Sequence, residues 1–144
     1  MPTASKNSIQ STKLIVSDLD KVSAWYCNVC GLEEILRVDE HMAGQRITQV
    51  LFKGDFKVGE LSISPFMLLK YEGAQKSVNN EVMLVVGTDD IAAFLDRCRA
   101  NAGAIVEDIR TVPEHGSKAA FGRPKVAIVR DCEGHLLEVI ELMK

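Results

Sequence analysis

Apolar positions in this chain follow two alternating rhythms. In residues 15–29 (IVSDLDKVSAWYCNV) a short β-branched run gives way to Val22, Trp25, Tyr26 and Val29, the i, i+3, i+4, i+7 spacing of one helix face. Residues 84–98 (LVVGTDDIAAFLDRC) repeat this order with Ile91, Phe94, Leu95 and Cys98. The offset is constant, because 91 − 22, 94 − 25, 95 − 26 and 98 − 29 all equal 69. A constant offset marks an internal duplication, and two like halves packed together enclose a cleft.

The remaining elements fit the same scheme. A strand is predicted over residues 12–16, followed by Asp18 and Asp20 as helix cap and favourable first-turn charge, and by Gly31 as the helix stop. Strand-like runs follow at 34–38, 46–52 and 65–71, with turn signals at Gly54-Asp55 and Gly59. In the second half, 81–86 is a strand. Thr88, Asp89 and Asp90 cap a helix that stops near Gly103, and strands follow at 105–109, 125–129 and 135–142. Each half therefore reads as βαβββ, an α+β module with one sheet face covered by its helix.

Bulk properties narrow the function classes. A chain of 144 residues, 47% hydrophobic and 26% charged, suits one soluble domain, here residues 11–144 with modules at about 11–73 and 80–142. Residues 1–10 are polar and lack the apolar stretch of a signal peptide, so they read as a frayed arm and the expected location is cytoplasmic. A net charge of −3 gives no basic footprint for nucleic acid, and no apolar run is long enough for a membrane span. Cys27 and Cys30 form one CxxC with no second pair, so the expectation is reduced, structural thiols. Residues 111–124 (TVPEHGSKAAFGRP) form a long connection that reads either as a lid or as plain surface loop.

The stretch VSDLDKVSAWYCNVCGLE near the start and RDCEGHLLEVIEL near the end, set in paired βαβββ units, resemble the vicinal oxygen chelate superfamily. That superfamily includes glyoxalase I, extradiol dioxygenases, methylmalonyl-CoA epimerase, and fosfomycin- and bleomycin-resistance proteins. Trp25-Tyr26 and Gly31-Leu32 match the first pattern. Asp131, Gly134 and Glu138 match the D-P-x-G-x-x-x-E ending, with Cys132 in place of its proline. The resemblance implies the glyoxalase/bleomycin resistance/dioxygenase fold: two βαβββ modules forming an open, eight-stranded half-barrel cleft. It also implies a divalent-metal site, in metal-dependent relatives, at positions that fall on Ser11, Leu68, Glu81 and Glu138, and a likeness to relatives that pair as homodimers.

This ligand set departs from the usual histidines, glutamines and carboxylates. Glu81 and Glu138 could bind a hard cation, whereas Ser11 is a poor donor and Leu68 is none. The three histidines, His41, His115 and His135, fall outside the four positions. A metal-free cleft is therefore the favoured expectation, with a divalent ion on Glu81 and Glu138 as the alternative. Either glutamate could serve as general acid or base. Lys13, on the strand face of Ser11, would compensate their charge, and Lys70 stands in the same relation to Leu68. Phe66, Leu68, Met83 and Val85 are expected to line the same face, with Phe52 beside them, and His115, Arg46, Lys118 and Arg123 to meet an anionic group. Two functions follow: a binder of a small apolar or aromatic molecule, or a lyase, isomerase or dioxygenase of the same superfamily.

Overall fold

Each half folds as one strand, one helix and three further strands, as the repeat predicts. The computed structural model describes residues 9–42, 44–73, 82–111 and 124–142. The first half comprises β1 (Thr12–Ile15), α1 (Leu19–Cys30), β2 (Glu34–Met42), β3 (Gln45–Val58) and β4 (Leu61–Tyr71). The second comprises β5 (Met83–Thr88), α2 (Ile91–Ala100), β6 (Ala104–Thr111), β7 (Lys125–Arg130) and β8 (Leu136–Glu141). The strands form two mixed four-stranded sheets, ordered β1-β4-β3-β2 and β5-β8-β7-β6, with β1/β4 and β5/β8 parallel. Neither sheet closes, and β1 and β5 are each an end strand.

Both helix ends are built from local and distant carboxylates. Asp18 accepts from the Lys21 N–H and Asp90 from the Ala93 N–H, each at 3.0 Å. Glu133 reaches from the other half to accept the Ser17 and Asp18 N–H groups at 3.0 and 2.8 Å, and Glu141 accepts the Ile91 N–H at 3.0 Å. Acids at helix N-termini answer the unpaired N–H groups and the positive end of the dipole. Gly31 ends α1 at φ 72°, where its N–H returns to the Cys27 carbonyl at 3.1 Å.

All eight residues of the repeated helix faces are buried, and they share one core with Val50, Phe52 and Leu68 of the first sheet and Ala127, Val129, Leu137 and Val139 of the second. The helices also touch directly: Arg97 Nε donates to the Val29 carbonyl at 3.0 Å. The Gly54-Asp55 turn expected from sequence is absent. β3 runs on to Val58, and the hairpin turns at Gly59-Glu60. Bulges after Leu51 and Lys53 bend the strand instead, and a Cβ on Gly54 would lie 2.5 Å from the backbone of Ser64. The glycine permits a close approach of two strands.

A buried polar joint ties the halves together. Tyr26 of α1 donates its hydroxyl proton to Asp131 Oδ2 at 2.8 Å, and Asp131 also accepts the backbone N–H groups of Glu133 and His135. His135 Nδ1 lies 2.8 Å from the same carboxylate, while Nε2 faces the Ile15 carbonyl at 3.2 Å. Both ring nitrogens face acceptors, so the doubly protonated imidazolium satisfies both. Burial opposes that charge, but the bonds to Asp131 outweigh it and hold His135 above the usual histidine range. Burial likewise opposes the Asp131 carboxylate, yet His135 and Tyr26 hold it below the usual range. Burial and the adjacent carboxylate push the Tyr26 hydroxyl up, keeping it a donor.

The register corrects one sequence assignment. Leu14 pairs with Leu68, and its repeat equivalent Leu84 pairs with Leu137. One step along, Ile15 pairs with Leu69 and Val85 with Glu138, so the symmetry mate of Glu138 is Leu69. A one-residue slip reverses the face of a strand. Leu68 is accordingly fully buried in the helix-side core, and Phe66 turns to the same side.

Two measurements follow from this packing. Leu68→Ala is expected to cost about 2–5 kcal/mol in denaturant unfolding, while Met83→Ala, at a half-exposed site, costs under about 1 kcal/mol. Asp131→Asn strands an imidazolium and is expected to cost about 3–5 kcal/mol. The raised histidine contributes fully below about pH 6.5, and its share is lost as pH rises through the folded value. The lowered aspartate contributes above about pH 3.9 and is lost as pH falls through its folded value. Stability of the wild type is therefore expected to decline on the alkaline side, with His135→Asn flattening that slope.

Candidate functional site

A cavity of about 540 Å³ opens where the two sheets meet. The free edge of β5 supplies one wall, with every residue from Val82 to Gly87 along it. Six consecutive residues can line a cavity only because an end strand shows both of its side-chain faces there. Opposite stand Tyr26, Cys30 and Leu32 at the close of α1, Ser64, Pro65 and Phe66 at the start of β4, and Thr12 of β1. None of these lining residues is charged.

The aromatic wall is held from behind. Tyr26 packs against Phe66 with ring centroids 4.9 Å apart, Phe66 stacks on Phe52 at 6.1 Å, and Trp25 meets Tyr26 edge-on at 4.9 Å. Such contacts fix ring orientation and suit a preformed apolar site. The Cys30 thiol is pushed up to about 12 by burial, with Arg97 opposing, so it presents a neutral S–H and no nucleophile. All four cysteines are free thiols.

The residues expected from sequence divide between this cavity and its surroundings. Phe66, Met83 and Val85 line it, whereas Leu68 and Phe52 lie behind it in the core. Glu138 is half-buried on the face of the second sheet turned away from the helices, paired across the strands with Val85 and Ile128. Lys13 is exposed on the corresponding side of β1. Arg46 and Lys70 belong to a separate polar recess of about 310 Å³, with Asp39, Thr48 and Glu72. Glu81, His115, Lys118 and Arg123 lie outside the described residues, as does most of the 111–124 connection.

Four lining residues were read otherwise from sequence: Tyr26 as helix face, Thr12 as strand, Cys30 as one of a CxxC pair and Leu32 as part of the Gly31-Leu32 match. One signal was available for Tyr26: a tyrosine on a buried stripe requires a partner for its hydroxyl.

Of the four corner positions three are described, and in their observed register these three supply few donors for a divalent ion. Leu69 offers no lone pair, Ser11 offers a neutral hydroxyl, and Glu138 is a single carboxylate between two aliphatic neighbours. Among the described residues no three His, Cys, Asp or Glu side chains converge as a metal site. Metal centres of this kind need three or four N, O or S donors around the ion.

Comparison with known proteins agrees with the fold. A probable lactoylglutathione lyase of Vibrio cholerae is 29% identical over 140 residues, covering 95% of this chain and 92% of that protein. One from Vibrio parahaemolyticus is 26% identical over 137 residues, with the same coverage. A glyoxalase family protein from Bacillus cereus superposes with a TM-score of 0.72 at 12% identity, covering 100% of this chain and 99% of the other. No helix is long and apolar enough to cross a membrane among the described residues. The sequence profile of the family matches residues 8–139, and the chain belongs to the glyoxalase/bleomycin resistance protein/dioxygenase superfamily.

Proposed function

We propose that this chain binds a small apolar or aromatic molecule in the cavity between its sheets, without the divalent centre used by metal-dependent relatives. The observation that carries this reading is a cavity of about 540 Å³ whose lining, among the described residues, carries no charge. That size lies within the range of small-molecule sites, and the aromatic and aliphatic walls favour a hydrophobic guest. The corner residues support the metal-free part, since Leu69 and Ser11 replace two strong donors.

A second reading keeps catalysis. The two Vibrio relatives are named as probable lactoylglutathione lyases, and Glu138 retains the family's carboxylate position. On that reading Glu81 and Glu138 act as metal ligands or as acid and base in a lyase, isomerase or dioxygenase reaction. The same proposal includes a homodimer, supported by the exposed Ile35 and Leu36 on β2 and Val106 on β6, the outer strands of the two sheets.

Chelator-treated and metal-replete protein are expected to bind a neutral naphthyl probe with equal affinity in fluorescence titration, and elemental analysis to find no stoichiometric ion. A stoichiometric ion that disappears in Glu138→Gln would contradict the metal-free reading and favour the enzyme. Sedimentation at micromolar concentration is expected to give two copies per particle; a monomer would refute the dimer.

A further inference from the structure

Among the described residues, the strand neighbours of Glu138 are all apolar. Its cross-strand partners are Val85 on β5 and Ile128 on β7, and Leu136 and Ile140 flank it on the same side of β8. Among the described residues it makes no hydrogen bond or ion pair, although it is half-buried. Four other acids of this half are engaged. Glu133 caps the start of α1, Glu141 caps α2, Asp131 sits in the buried joint, and Glu107 pairs with Arg110 at 3.7 Å. Lys13 forms no ion pair with it either.

Val85 links this carboxylate to the cavity, because it lines the cavity and is the direct neighbour of Glu138 across the ladder. Adjacent strands lie about 4.8 Å apart, so a guest covering Val85 reaches Glu138 with one further substituent. Covering an unpaired carboxylate with a neutral guest removes its water and returns nothing. A cationic group replaces that water with a charge-assisted hydrogen bond.

We propose that the ligand of this cavity is an amphiphilic cation, an apolar body carrying an ammonium or guanidinium group that pairs with Glu138. The inference rests on the cavity reading above and adds the charge of the ligand to it. Glu138 is then a specificity residue, selecting for charge while the cavity selects for shape.

Calorimetry on the chelator-treated full-length chain separates the two claims, using 4-phenylbutylamine and its neutral counterpart 4-phenylbutanol. The amine is expected to bind about tenfold more tightly than the alcohol, the scale of one charge-assisted bond. Glu138→Gln should reduce the amine to the level of the alcohol, with an unchanged cooperative denaturant transition showing that the variant is folded. Equal binding of both probes to the wild type overturns the role of Glu138 but leaves the cavity reading standing. A preference for the amine that survives Glu138→Gln does the same. If neither probe binds at millimolar concentration, the cavity reading fails and takes this inference with it. Manganese binding one ion per chain, abolished by Glu138→Gln, would overturn the proposal in favour of a metal.

Discussion

A single buried carboxylate holds the two halves of this protein in their relative positions. Asp131 accepts from the Tyr26 hydroxyl, the His135 ring and two backbone N–H groups, and His135 passes the connection on to the Ile15 carbonyl. Those partners come from α1, the end of β1 and the turn between β7 and β8. Without them the halves would meet only through apolar contacts and a few exposed or half-exposed polar ones, which are less directional. Tyr26 also forms a wall of the cavity, so the joint that fixes the halves fixes the shape of the site as well. Buried networks of this kind reward complete satisfaction and penalise the loss of any member.

The duplication explains why a cavity exists at that place. Each half leaves one end strand, β1 or β5, beside the other half. An end strand carries unpaired backbone groups and shows side chains from both of its faces. Here the β5 edge is enclosed by the end of α1 and the start of β4, which turns an exposed edge into a lining. The two halves have diverged in what they place on the outer sheet face. The first puts Gln49 beside Leu69, with its amide nitrogen donating to Glu40; the second puts Ile128 beside Glu138. Polar and apolar residues have thus exchanged strands between equivalent positions, which leaves Glu138 without a matching donor at Leu69.

Much of the architecture was legible in the residue pattern, and the exceptions have physical causes. Both helix faces were readable because each has a polar side for contrast: Val22, Trp25, Tyr26 and Val29 alternate with Asp20, Lys21 and Asn28. β4 offered no such contrast. Met67, Leu68 and Leu69 are all buried, on opposite faces, so alternation could not reveal which face Leu68 takes. The register followed only from the pairing with β1. Glu138 was legible through its spacing from Asp131 and Gly134 in the family's ending. Asp131 read as a match to the family's ending, and its buried bond to Tyr26, 105 positions away, is encoded by no local pattern. The cavity was legible only in part, through Phe66, Met83 and Val85, because its walls come from four separate segments.

The central claim is that the guest sits against the β5 edge. Intermolecular nuclear Overhauser effects between 4-phenylbutanol and methyl-labelled, chelator-treated protein test it directly. Contacts to the methyl groups of Met83, Leu84, Val85 and Val86 are predicted. Contacts confined to Ile47 and Leu69 on the outer face of the first sheet, or none at saturating probe, would contradict it.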